Sequence, residues 1–128
     1  MNKFFKSFTL LAALLAICVV VLGAYVRLTD AGLGCPDWPG CYGTLTVPQS
    51  ESAIANAQTI YPDSPVETGK AWREMIHRYL AGALGLMVLA LAVMAWKYKK
   101  AIKVSPWLTT TLLALITFQA MLGMWTVT

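Results

Sequence analysis

Residues 70–85 read KAWREMIHRYLAGALG, and they place the sequence's single histidine, His77, at the head of a long apolar segment. On a helix, residues three and four apart share a face, so Glu74, His77, Ala81, Leu84, Gly85 and Val88 fall on one stripe. Ala81 and Gly85 give a small-xxx-small spacing, which lets a neighbouring helix or a flat ligand come close to the backbone. An ionisable residue inside a membrane helix is costly and marks a candidate functional site. The alternative is a histidine near the membrane interface, hydrogen-bonded to a neighbour or to water.

The rest of the chain sets this helix in a membrane. Of 128 residues, 58% are hydrophobic and 12% charged, against roughly 25% charge in an ordinary globular domain. The formal charge of +4 does not point to nucleic acid, because the lysines flank apolar runs and form no basic stripe interleaved with aromatics. The expected fold is therefore an all-α membrane protein, a single membrane region over 1–128 with spans at about 7–27, 70–96 and 106–126 and a long extracytoplasmic loop at 28–69. Each span is long enough for a hydrocarbon core of ~30 Å. The first apolar run exceeds a signal-peptide core of ~7–15 residues and is read as a retained span. Pro106 suits the first turn of the third.

Lys3 and Lys6 precede span one, and Lys97, Lys99, Lys100 and Lys103 lie between spans two and three. Positive flanks face the cytoplasm, which puts the N-terminus inside and the 28–69 loop and Thr128 outside. Trp72, Tyr79, Trp107 and Trp125 fall near span ends, as an aromatic belt requires. At ~1.5 Å per residue His77 lies roughly 10 Å into its helix, with Gln119 at a similar level. Gln119 is more readily interhelical glue than a ligand contact.

The loop holds five of the six acidic residues, with Glu74 just beyond it. Gly32, Gly34, Pro36, Pro39, Gly40 and Gly43 punctuate its first part too densely for regular structure. Its later part, SESAIANAQTIYP, suits a short amphipathic helix on the membrane surface, with Ile54 and Ile60 near one face.

Several residues could carry chemistry. Cys35 and Cys41, six apart across Pro and Gly, can close a ring, and outside the cytoplasm the pair is expected to oxidise. A structural staple is favoured over a redox role. Cys18, inside an apolar run, is expected to be a small buried side chain. The His77 imidazole suits an axial haem ligand, with the small residues below it leaving room for the macrocycle. Glu74, one turn above, could orient the histidine, relay a proton or offset a cationic intermediate. A carboxylate in a first helical turn is also favoured by the dipole alone. Arg27, Arg73 and Arg78 could meet ligand carboxylates such as haem propionates, or simply snorkel to the interface.

GAYVRLTDAGLGCPDWPGCYG (23–43), the 70–85 stretch and FQAMLGMWTVT (118–128) together resemble the haem A synthase family. The resemblance implies eight transmembrane helices in two pseudo-symmetric four-helix halves, each with a pair of haem-facing histidines. It implies oxidation of the C8 methyl group of haem O to a formyl group, giving haem A, with haem b as cofactor. On this view His77 is a haem iron ligand of the N-terminal half, Glu74 matches the family's functional glutamate, and Cys35 with Cys41 match its loop cysteine pair. Implied partners are lipid, haem O and haem A, haem O synthase and cytochrome oxidase assembly factors, in a bacterial inner membrane. Three spans are expected to be the N-terminal part of such a bundle, completed by self-association or by a C-terminal half. The rival expectation is an extracytoplasmic thiol-exchange or assembly protein in which Cys35 and Cys41 pass electrons and His77 is structural. A third is an inactive fragment.

Overall fold

The apolar runs form helices, and the computed structural model describes residues 3–28 and 35–127. Five helices follow in order: α1 Lys3–Leu28, α2 Glu51–Ile60, α3 Thr68–Lys97, α4 Lys99–Ile102 and α5 Pro106–Val127. Three of them, Lys3–Leu28, Thr68–Lys97 and Pro106–Trp125, are long and apolar enough to cross a membrane. No strand occurs among the described residues, and the single β-bridge joins Cys41 and Thr44. The lysines, Pro106 and the loop's polar residues mark where these apolar helices begin and end. Gly32, Gly34 and Thr128 lie outside the described residues.

The long helices expose most of their apolar side chains, among them Leu14, Ile17 and Val20 of α1 and Leu112, Leu115 and Phe118 of α5. In a bilayer such faces meet lipid tails, which are as apolar as leucine. Cys18 belongs to this exposed surface, which corrects the expectation of a buried side chain: on a lipid-facing helix an apolar residue need not be covered by protein.

The expected single membrane region clusters into two compact units, residues 1–20 with 80–121 and residues 21–79 with 122–128. In the first, Phe5, Ala12, Leu84, Val88, Leu91 and Ile102 form an apolar core. A Cβ added at Gly85 would sit 3.8 Å from Ile116 Cγ2. Of the two occupants that the small spacing allowed, a neighbouring helix is therefore the one found at Gly85. Trp96 Nε1 donates to Thr110 Oγ1 at 2.8 Å, and Trp96 and Trp107 meet edge to face.

In the second unit the loop packs onto the start of α3. Cys35, Cys41, Tyr42, Val47, Ala57, Ala71 and Met75 make its buried cluster, with Tyr61, Val66 and Trp72 against it. Helix α2 begins at an N-cap: Ser50 accepts a hydrogen bond from Ala53 N at 3.1 Å, filling one of the donors a helix start leaves open. The expected helix is present, but it is anchored by Ala57 while Ile60 is 59% exposed.

Candidate functional site

Glycines and one aspartate shape the loop locally. Tyr42 and Gly43 both have positive φ, 52° and 76°, the pairing of a two-residue hairpin turn. Their amides are held by one carboxylate: Asp37 Oδ1 accepts from Tyr42 N at 2.6 Å and Oδ2 from Gly43 N at 2.8 Å. The bridge closes with Cys41 N donating to Thr44 O at 2.9 Å and Thr44 N to Cys41 O at 3.0 Å. Residue 40 must be glycine here, since a Cβ would stand 2.5 Å from the Thr44 carbonyl oxygen.

Ahead of this turn, residues 36–40 bring Cys41 back to Cys35. The two form a disulfide with Cα atoms 5.0 Å apart, and the residues are only 1% and 0% exposed. The Cys35 sulfur faces the Ala71 carbonyl at 3.8 Å. So the staple lies under the loop, against α3.

Glu74 and Arg78, one turn apart on α3, complete the attachment. Glu74 is 6% exposed, and its Oε2 accepts from Cys35 N at 3.1 Å. Arg78 Nη2 donates to Glu74 Oε1 at 2.5 Å. Arg78 Nη1 donates to the carbonyls of Asp37 at 2.8 Å and Gly40 at 2.7 Å. Tyr79 hydroxyl donates to the Leu45 carbonyl. The helix starts at Thr68 with no acidic residue in its first turn, so the dipole, which acts within the first turn, does not account for Glu74.

His77 follows Met75 and Ile76 and is half-buried. Its Nε2 lies 2.9 Å from where a Cβ on Gly23 of α1 would be, and Cδ2 and Cε1 lie 3.6 and 3.7 Å from it. A side chain at 23 would push the ring from this position. Arg73, on the same helix, extends its guanidinium over the Tyr25 ring at 6.0 Å. Arg27 is exposed in the last turn of α1, and Gln119 is exposed on α5.

Tyr42 sits beside this polar group and outside the spans. Burial pushes its phenol above the ordinary value, and the negative charges of Glu67, Asp37 and Glu74 push the same way. Its hydroxyl donates to the Pro65 carbonyl at 3.2 Å.

The structure thus gathers Cys35, Cys41, Glu74 and Arg78 into one hydrogen-bonded group and sets His77 beside it against Gly23. Sequence reasoning passed over Gly23 and Asp37. Asp37 had a legible signal, a short carboxylate ahead of a turn-forming Tyr-Gly pair. Gly23 had a fainter one, a small residue facing the helix that carries the histidine.

For a haem iron the donor chemistry fits through a single imidazole nitrogen on a membrane helix, and the small residue opposite, Gly23, is where the His77 ring itself rests. Cations for propionate groups are at hand in Arg27 and Arg73.

The family described as Cytochrome oxidase assembly protein, COX15-CtaA, matches residues 6–128. A protein of Shewanella oneidensis named Heme A synthase is 53% identical over 110 residues, covering 86% of this chain and 32% of the relative. Relatives of the same name from Bacillus licheniformis and Oceanobacillus iheyensis are 30% and 36% identical, covering 96% and 83% of this chain and 35% and 29% of their own length. The chain spans about a third of the length of these relatives. No solved structure matches it.

Proposed function

This chain belongs to the COX15-CtaA family of cytochrome oxidase assembly proteins, and on that premise we propose that it serves haem A biosynthesis as the N-terminal, haem-binding part of an oxidoreductase. The substrate in this reading is haem O, whose C8 methyl group is oxidised to a formyl group, with haem b as the resident cofactor. The observation that carries it is this chain's sole histidine, half-buried on a helix long and apolar enough to cross a membrane, with its ring against Gly23 of α1. The relatives' name, Heme A synthase, supports the substrate class.

His77 would hold the haem iron through an imidazole nitrogen. Arg27 and Arg73 would pair with the propionate carboxylates, two charges that planar guanidinium groups meet bidentately. Bound there, the iron would supply the redox chemistry. Glu74 keeps a carboxylate buried one turn from the imidazole, where it would offset positive charge developing nearby or hold a proton. The lysine distribution supports a bacterial inner-membrane setting with the disulfide loop on the periplasmic side. Haem O synthase, oxidase assembly factors and a complementary set of helices are the partners this reading calls for.

Co-expression of the chain with a source of haem O tests it through the absorption band of bound haem. The band is expected in the purified protein and is expected to vanish in His77→Ala; an equal band in that variant overturns the assignment. Thiol exchange finds no comparable support, because both cysteines are buried beneath the loop and a reactive pair has to be reached by its partner.

A further inference from the structure

Arg78 resembles the other arginines in sequence but not in its contacts. Its guanidinium is engaged on both terminal nitrogens, by the Asp37 and Gly40 carbonyls of the loop and by the Glu74 carboxylate of its own helix. Three acceptors placed around a planar fork use the donor geometry that separates arginine from lysine, whose ammonium is a point charge on a flexible stem. The loop carbonyls belong to residues within the segment that returns Cys41 to Cys35, and the second oxygen of Glu74 accepts from Cys35 N. Arg78, Glu74 and the backbone of residues 35–41 therefore close a ring of hydrogen bonds around the disulfide.

We propose that Arg78 is a positioning residue: it clamps the disulfide loop onto α3 and fixes the Glu74 carboxylate, and it does not bind a ligand carboxylate. The clamp stands on these contacts alone. What it does for Glu74 in turnover rests on the functional reading above. A consequence is a division of labour among the arginines, with Arg73 and Arg27 left for an anionic ligand.

The test uses the full chain in lipid nanodiscs and follows reduction of the Cys35–Cys41 disulfide by a water-soluble phosphine, with no haem present. Arg78→Lys keeps the charge and loses the fork, and Glu74→Gln keeps the shape and loses the charge. Each is expected to speed reduction roughly tenfold, the effect of losing one charge-assisted hydrogen bond that holds the loop shut. The double variant is expected to be no faster than the faster single one, since residues acting as one unit are non-additive. Lys70→Gln, which breaks the exposed Lys70–Glu67 pair, is expected to leave the rate unchanged and controls for charge. Wild-type reduction in Arg78→Lys, or independent effects that multiply in the double variant, overturns the clamp. A parallel titration with hemin separates the roles: weakened hemin binding in Arg78→Lys with an unchanged reduction rate assigns Arg78 to the ligand and also overturns it. Glu74→Gln alone decides the matter if Arg78→Lys fails to insert, because an unchanged rate there means the ring of bonds does not seal the disulfide. Failure of the His77→Ala haem test leaves these reduction rates untouched.

Discussion

The two compact units are built on opposite principles. In residues 1–20 with 80–121 the buried cluster is built of apolar side chains, and the threonines, buried Thr109 among them, chiefly return their hydroxyls to their own helix, as Thr9 does to Phe5 O at 2.7 Å and Thr109 to Pro106 O at 2.8 Å. In residues 21–79 with 122–128 a disulfide, a buried ion pair and side chains bonded to loop backbone carry the structure. The reason is the solvent. Lipid tails compete evenly with leucine for an apolar face, so the spans are held by close packing and specify little by chemistry. A loop in water has to satisfy its backbone groups and cannot do so with regular structure when glycine and proline interrupt it.

The contrast is broken most severely at Arg78. Its side chain and that of Glu74 are 13% and 8% exposed, and removing one partner of a buried pair leaves an uncompensated charge at a cost of about 3–5 kcal/mol. Arg78→Ala should therefore free the loop while leaving the spans helical. Protease cleavage within 35–67, with unchanged far-ultraviolet circular dichroism, is the expected result. Loss of helicity in parallel would mean that the loop and the spans stand or fall together. Replacing Cys35 and Cys41 by serine comes next, removing a closed ring worth about 2 kcal/mol in the chain-entropy account. The same cleavage should appear, more slowly.

How much of this was legible in the sequence follows the same divide. The spans were, because twenty apolar residues between charged flanks admit few structures. So was the disulfide, from two cysteines six apart in a turn-rich loop. The partners of Arg73, Arg78 and Glu74 were not. Three arginines with equal claims on a ligand are separated only by where the loop carbonyls fall, which is set by Gly40, Asp37 and the Tyr42-Gly43 turn. Nor could periodicity tell that Ala57 and not Ile60 would anchor α2, since the surface that α2 meets is formed by a distant cysteine pair.

A pair of glycines sharpens the comparison at smaller scale. Alanine at 85 would meet Ile116 at an ordinary 3.8 Å and gain up to about 1 kcal/mol of helix propensity. Alanine at 23 gains the same but forces the His77 ring off its seat at 2.9 Å, and overpacking costs about 1–3 kcal/mol. Thermal unfolding in detergent should thus rise slightly for Gly85→Ala and fall for Gly23→Ala. If both rise, the imidazole moves aside at no cost and its seat against Gly23 is not selective.

The smallest effect concerns Tyr42, and it changes only at alkaline pH. Because burial and the charges of Glu67, Asp37 and Glu74 raise its ionisation in the folded loop, the folded chain holds the phenolic proton more tightly than the unfolded chain does. Stability from this group is complete below the unfolded value of about 10 and is lost as pH rises through the higher folded value. Above pH 10 the loop should therefore open to protease before the spans change. Tyr42→Phe gives up the bond to Pro65 O, about 1 kcal/mol wherever the phenol is protonated, but removes the extra alkaline sensitivity. The two cleavage curves should converge as pH climbs from 9 to 12. Parallel curves over that range would place the alkaline weakness elsewhere, in the lysines or in the disulfide itself.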